Sequence, residues 1–183
     1  MKESGFIIKT MKFVTNLYDK NDFTHGWPHI LAVRKNALKL QRILGGDKEI
    51  IEIAVFFHDC DYSNGKMHVE LSAVKAKKFL NSIGYPKTRQ VCEAIFNHSM
   101  HLHKSNASLE SKILFDADKM ETIRPYGVLR VSIYYRELPY KEIIKNVHYY
   151  CADLYKKLYF DESRKLIRKD YEKTKKIIEW LKE

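Results

Sequence analysis

The fold is decided by the stretch IIEIAVFFHD, residues 50–59, in which an almost unbroken apolar run leads directly into His58 and Asp59. Elsewhere in the chain, apolar residues recur mostly at three- and four-residue spacing, which is the period of an α-helix. An imidazole and a carboxylate carried into a core on a hydrophobic helix must find partners or bind a cation, because an unpaired buried polar group costs about 2–7 kcal/mol. The pair is therefore a candidate metal site.

The composition predicts one all-α domain. The chain has 183 residues, of which 45% are hydrophobic and 13% aromatic, enough for a sizeable core. Glycine and proline are sparse, at 7 and 4 residues, so few positions interrupt helices. We predict a helical bundle with the metal site in its core, and loops at 61–65 and 101–108. The predicted helices cover about 7–17, 28–44, 47–59, 70–83, 87–98, 109–121, a segment from 125, 141–158, and the tail.

Capping residues mark the ends of two of these helices. Asp47 precedes the apolar run and is predicted to cap its helix, and Asp161 or Ser163 is predicted to cap the last one. Gly45 and Gly46 close the second helix, because glycine is the usual residue after a helix end.

The charge balance favours acidic ligands. The sequence holds 33 Lys and Arg against 23 Asp and Glu, a formal net charge of +10, which raises the encounter rate with nucleotides or nucleic acid. Much of this charge lies in the lysine-rich C-terminal helix, where a solvated helix face explains it as well.

Three cysteines, odd in number and widely spaced, argue against a disulfide framework or a thiolate zinc site, and indicate a reduced, cytoplasmic setting. No apolar stretch approaches the roughly 20 residues that span a bilayer, and the first residues lack a signal-peptide core. We expect no membrane association.

Potential metal ligands occur on four helices that are predicted to face the core. His29 lies on the apolar stripe of the second helix, and His98 ends the apolar face of the fifth. Asp116 and Asp118 come directly after the apolar segment 113–115, on the predicted buried part of the sixth helix. A lone inward histidine is usually a structural core residue. Four such positions in one core are harder to explain by hydrogen bonding alone, so we predict a shared metal ion.

The predicted ligands are imidazoles and carboxylates without a thiolate. This set suits a divalent ion, namely Mn²⁺, Mg²⁺, Fe²⁺, Co²⁺, Ni²⁺ or Zn²⁺, and the ligand types do not choose among them. Such an ion can lower the pKa of bound water and polarise a phosphoryl oxygen. Phosphoester hydrolysis is therefore the natural chemistry, and the positive charge of the chain agrees with a phosphate-bearing substrate.

The order His29, then His58 and Asp59, then Asp118 resembles the H…HD…D signature of the HD-domain metal-dependent phosphohydrolases. One bacterial and archaeal subfamily is more similar still, through further short motifs in the same order. HGWPHILAV at 25–33 resembles its HDxxHxxRV, FHDCD at 57–61 its LHDID, DADKME at 116–121 its DADRLD, and the likeness extends through NHS at 97–99 and GVLR at 127–130. The resemblance implies one HD domain over 1–183, with a motif-bearing core at about 25–130 and a C-terminal helical extension.

The resemblance also implies roles for individual residues. It makes His29, His58, Asp59 and Asp118 the metal ligands, with Asp118 chosen over Asp116 by the family pattern alone; Asp116 would then support the site or cap a helix. Asp59 or Glu121 is expected to accept or relay a proton. Related proteins with extra histidines use them for a second ion or for the substrate phosphate. The expected substrate contacts are His25, His68, His98, Lys119 and Arg130.

Three positions depart from the subfamily pattern. Gly26 replaces an aspartate, Ala32 an arginine, and Lys119 the arginine of DADRLD. A lysine supplies charge but not the planar fork of a guanidinium, so the substrate preference can differ from that of the subfamily.

The main alternative is a nucleic-acid-binding or regulatory helical module with a vestigial HD site, which the net charge of +10 would suit. Within the enzyme interpretation, the phosphomonoester and pyrophosphate bonds of nucleotides are both open. The expected partner is a phosphate-bearing small molecule, most simply a nucleotide, and a homodimer is one option for a small protein of this kind.

Overall fold

The computed structural model describes residues 4–18, 22–62, 67–99 and 105–183, and these residues form helices and connecting turns with no strand. The all-α prediction is confirmed. The predicted loops at 61–65 and 101–108 fall partly outside the described residues. The helices are α1 (Gly5–Val14), α2 (Trp27–Leu44), α3 (Lys48–Phe57), α4 (His68–Ser82), α5 (Thr88–Phe96), α6 (Leu109–Ile123), α7 (Pro125–Tyr134), α8 (Tyr140–Cys151) and α9 (Asp161–Trp180), with a short 3₁₀ helix at Asp153–Lys157. None of the helices described is both long and apolar enough to cross a bilayer.

The chain divides into two compact units, Met1–Phe115 and Asp116–Glu183. Each is described by itself. The extent of a single HD domain over the whole chain stays a prediction.

In the first unit, α3 is the central helix. It packs against α1, α2, α4 and α5, so no side of it faces solvent, and every residue from Ile50 to Phe57 is buried. This explains why its sequence is apolar almost throughout, apart from Glu52. The buried Glu52 carboxylate pairs with the Arg34 guanidinium of α2, whose Nε donates to Oε1 over 2.8 Å, and its Oε2 lies 3.7 Å from Lys48 Nζ.

The beginning of α3 is capped by a side chain, and its end lies earlier than predicted. Asp47 caps the beginning by accepting the backbone N–H groups of Glu49 and Ile50, as predicted. The helix ends at Phe57, before the predicted boundary near Asp59, and His58 is its C-cap residue. His58 and Asp59 therefore lie in the turn that follows the helix.

The second unit is built on a small apolar core shared by α7, α8 and α9. Its buried members are Val128, Val131, Val147, Cys151, Ala152 and Ile178. Where α6 gives way to α7, the chain requires a glycine, because a Cβ atom on Gly127 would lie 1.7 Å from the backbone oxygen of Thr122.

Asp116 organises the start of α9. Its buried carboxylate accepts the backbone N–H groups of Tyr159 and Phe160 and the hydroxyl of Ser163, at 2.8, 3.0 and 2.6 Å. The N-cap residue of α9 is Phe160, so the prediction that Asp161 or Ser163 caps this helix was wrong. Neither side chain turns to the backbone at this end, because the Ser163 hydroxyl donates to Asp116 and the Asp161 carboxylate accepts from the Arg164 guanidinium. Burial raises the pKa of Asp116 to about 6, against the lowering effect of its own hydrogen bonds.

Candidate metal centre

Six of the residues predicted for the site lie in the first unit. His29 stands in the first turn of α2, His58 and Asp59 follow α3, and His68 is the first residue of α4. His98 lies in the turn after α5, and His25 precedes α2. All but His25 and His68 are buried.

Asp59 lies between two pairs of imidazoles. Its Oδ2 atom is 3.7 Å from His29 Nε2 and 3.5 Å from His58 Nε2. Its Oδ1 atom is 3.7 Å from His68 Nε2 and 3.5 Å from His98 Nε2. Each carboxylate oxygen thus faces two ring nitrogens, and Asp59 is common to the two groups of candidate ligands that lie wholly among the described residues of the first unit.

These separations fit a cation better than they fit hydrogen bonds. An N–H···O hydrogen bond spans about 2.7–3.2 Å. Two ligands of a tetrahedral ion with bonds of about 2.1 Å stand roughly 3.4 Å apart. Asp59 Oδ1 is buried and makes no hydrogen bond within normal geometry among the described residues, which leaves a buried acceptor for an ion to satisfy.

The tautomers of two histidines also suit metal binding. His58 Nδ1 lies 2.8 Å from the carbonyl oxygen of Val55, and His98 Nδ1 lies 2.5 Å from that of Ile95. A carbonyl only accepts, so both Nδ1 atoms carry hydrogen, and in the neutral rings the lone pairs are on Nε2. Those lone pairs face a carboxylate. A positive charge between them, from a proton or a metal ion, resolves that repulsion.

The surroundings of Asp59 keep it ionised. Burial alone would raise its pKa, but the nearby imidazoles of His58, His98 and His25 act the other way when they are charged, and the pKa is held well below its usual range. The carboxylate is therefore available as a ligand at neutral pH. The residues present fit a divalent cation, whose identity the donor set leaves open.

The other predicted site residues belong to the second unit. Asp118 and Lys119 lie on α6, where Lys119 Nζ is 2.5 Å from Asp118 Oδ2. Glu121 and Arg130 form an ion pair in which both side chains are buried. Asp118 as a metal ligand continues to rest on the family pattern, and Glu121 and Arg130 are already engaged with each other.

Sequence reasoning missed the residues around His25. The Tyr62 ring stacks on the His25 ring, with centroids 3.7 Å apart and planes 16° apart, and also contacts His68 at 4.7 Å. Thr24 Oγ1 lies 2.9 Å from His25 Nδ1, and Asp22 accepts from Thr24. The polar residues before α2 were visible in the sequence, but nothing local pairs them with Tyr62.

Solved structures share this fold. The Lin1889 protein from Listeria innocua superposes with a TM-score of 0.76 at 19% identity, covering 100% of this chain and 97% of that one. An HD-superfamily hydrolase from Bacillus thuringiensis gives 0.72 at 22%, covering 96% and 94%. Bacillus subtilis YpgQ in complex with ADP gives 0.76 at 20%, covering 96% and 92%.

No curated protein matches the chain in sequence. The family model of the HD domain, however, matches residues 26–123, which is more than half of the 183 residues and includes His29, His58, Asp59 and Asp118. The protein therefore belongs to the HD-domain family.

Proposed function

We propose that this protein is a metal-dependent phosphohydrolase that acts on a nucleotide. The observation that carries the proposal is the ionised, buried Asp59 carboxylate, whose two oxygens each face a pair of histidine Nε2 atoms. Buried carboxylate and imidazole groups that face each other at distances longer than a hydrogen bond favour a cation. Membership of the HD-domain family supports the same chemistry.

His29, His58 and Asp59 would hold the ion, with Asp118 as the fourth ligand implied by the family pattern. A divalent cation there supplies Lewis acidity, which lowers the pKa of water and polarises a phosphoryl oxygen. His68 and His98, on the other oxygen of Asp59, would bind a substrate phosphate or a second ion.

The remaining roles fall to side chains that move protons or carry charge. Asp59 would accept or relay a proton through its ionised carboxylate, although its low pKa makes that carboxylate a weak base. Glu121 could do so as well, but it is paired with Arg130, and the pair would have to open or share its hydrogen bonds. Lys119 and Arg130 would stabilise negative charge on the phosphate oxygens, and His25 would contact the substrate. Lys119 would do this while exchanging its contact with Asp118 for the substrate.

Two observations support a nucleotide as the substrate. The net charge of +10 attracts polyanions, and a protein of the same fold, YpgQ, has been solved with ADP. The reaction products identify which bond is cut, a phosphomonoester or a pyrophosphate bond.

Phosphorus NMR tests the proposal directly. Metal-stripped protein would be given Mn²⁺, Mg²⁺, Co²⁺ or Ni²⁺ and a panel of nucleotides, using the wild type, Asp59→Asn and Asp47→Asn. Asp47 is the matched control, because it lies at the opposite end of α3 and asparagine caps a helix as well as aspartate does.

We expect metal-dependent turnover by the wild type and by Asp47→Asn, and none by Asp59→Asn. Release of orthophosphate would indicate a phosphomonoesterase, and release of pyrophosphate a nucleotide pyrophosphatase. Absence of turnover with every ion, together with salt-dependent binding of RNA or DNA by the metal-free protein, would replace the enzyme by a binding module.

A further inference from the structure

The loop before α2 contains a chain of hydrogen bonds that ends on His25. Asp22 Oδ1 accepts from the Thr24 backbone N–H at 2.7 Å, from the Thr24 hydroxyl at 2.7 Å and from the His25 backbone N–H at 3.0 Å. Burial acts to raise the pKa of Asp22, but these hydrogen bonds keep it below its usual value, so the group is a carboxylate. A carboxylate only accepts, and the single hydroxyl proton of Thr24 is therefore donated to Asp22.

This donation fixes the proton on the His25 ring. Thr24 Oγ1 lies 2.9 Å from His25 Nδ1, and with its own proton directed at Asp22 it can only accept there. His25 Nδ1 must carry a hydrogen. In the neutral ring the lone pair is then on Nε2, the reverse of the tautomer that free histidine prefers.

Tyr62 fixes the plane of the same ring. Its ring lies nearly parallel to His25, at 3.7 Å and 16°, and is tilted by 32° against His68 at 4.7 Å. His68 in turn presents Nε2 to Asp59 Oδ1 at 3.7 Å. One aromatic ring thus contacts two imidazoles that border the candidate metal centre.

We infer that Asp22, Thr24 and Tyr62 are positioning residues for His25, which they hold in the Nδ1–H tautomer so that Nε2 is presented as a hydrogen-bond acceptor. The part of the inference that concerns turnover rests on the proposed function. There, neutral His25 accepts a hydrogen bond from an O–H or N–H group of the substrate, or from the attacking water. This role differs from a cationic contact to a phosphate oxygen.

Nitrogen NMR of the metal-free protein reads the tautomer without any activity. Two-bond ¹H–¹⁵N spectra would be recorded well above the ordinary histidine pKa of about 6.5, with His25 assigned by its loss in His25→Gln. We expect the unprotonated nitrogen of His25 to be Nε2 in the wild type and in Thr24→Ser. In Thr24→Ala, where Asp22 Oδ2 at 3.8 Å still faces Nδ1, the fraction of the Nε2–H form should rise. An Nε2–H ring in the wild type, or an unchanged ring in Thr24→Ala, would overturn the inference.

The role of Tyr62 has a separate readout. A stacked ring shifts the carbon-bound protons of His25 upfield, and Tyr62→Phe should keep that shift whereas Tyr62→Leu should lose it. Backbone amide spectra confirm that each variant is folded. If Tyr62→Leu left the His25 shifts unchanged, Tyr62 would have no positioning role.

Kinetic measurements test whether the contact between Thr24 and His25 matters for the reaction. Outer-shell partners of a site histidine are typically worth 10- to 100-fold in activity, so Thr24→Ala should lower kcat by roughly this factor with little change in KM, and Thr24→Ser should restore it. An unchanged kcat in a Thr24→Ala variant whose tautomer has switched would refute the catalytic part. If the wild type turns over no nucleotide, the proposed function fails, and the tautomer measurement still decides whether Thr24 positions His25.

Discussion

The Asp59→Asn substitution should remove most of the stabilisation of this protein by divalent metal ions. Among the described residues of the first unit, Asp59 is common to two groups of candidate ligands, with Oδ2 facing His29 and His58 and Oδ1 facing His68 and His98. The substitution removes the negative charge from both groups while keeping the side-chain shape. Any ion bound on either oxygen should therefore be lost or greatly weakened.

The size of the effect follows from mass action. At an ion concentration of about 100 times Kd, binding stabilises the folded state by about 2.7 kcal/mol. For a chain of this length, 1 kcal/mol corresponds to roughly 2–4 °C in Tm, so the wild type should gain about 5–11 °C. Loss of an outer-shell partner alone weakens a metal site by about 10- to 100-fold, and loss of a charged ligand should cost at least as much as the upper figure. At the same ion concentration the Asp59→Asn variant should then gain only about 1–2 °C.

Thermal unfolding followed by circular dichroism, with EDTA or with Mn²⁺ present, measures both shifts. The Asp47→Asn variant is the control, since it loses a carboxylate at the other end of α3 and should keep the full gain. A full gain in Asp59→Asn would refute the assignment of Asp59 as a ligand. Loss of the gain in Asp47→Asn would show that the shift reports non-specific charge effects.

Three further outcomes are expected. Gly127→Ala should destabilise the protein by about 1–3 kcal/mol or more in urea unfolding, because the added Cβ meets a backbone oxygen. Gly5→Ala, with open space around its Cβ, should be neutral or stabilising, and equal effects of the two substitutions would contradict the packing argument. Asp116→Ala should cost at least about 3 kcal/mol in the same assay, since it leaves buried donors unsatisfied, and a loss below about 1 kcal/mol would count against the bonds to the start of α9. Burial raises the pKa of Cys60 to about 12, so its thiol should resist iodoacetamide in the folded protein, and half-buried Cys92 should react first. Peptide mass spectrometry measures the order of alkylation, and the reverse order would contradict the burial.

Much of the helical architecture could be predicted because it is encoded locally. Three- and four-residue apolar spacing and a capping Asp47 predict helices without knowledge of what they pack against. The errors occurred where tertiary contacts override local signals. The prediction that Asp161 or Ser163 caps α9 failed because Ser163 donates to Asp116, more than forty residues earlier, and Asp161 pairs with Arg164.

The candidate site, too, could be predicted from the sequence only in part. The ordered motifs around His29, His58 and Asp59 were sufficient to indicate the HD-domain family, because each motif is a short string of residues. The tautomer of His25 and its contacts with Thr24 and Tyr62 could not be predicted from the sequence. They depend on rotamers and on Tyr62, a residue brought close only by folding.

By itself, the sequence determined the helical fold class and the residue types available for metal chemistry, since helical periodicity and short motifs are properties of neighbouring residues. Only the tertiary structure decided that α3 ends at Phe57, so that the following turn places Asp59 between two imidazole pairs. The physical reason is that the direction of a side chain depends on where its helix ends and what packs around it. Those contacts join elements far apart in the chain, and no local pattern specifies them.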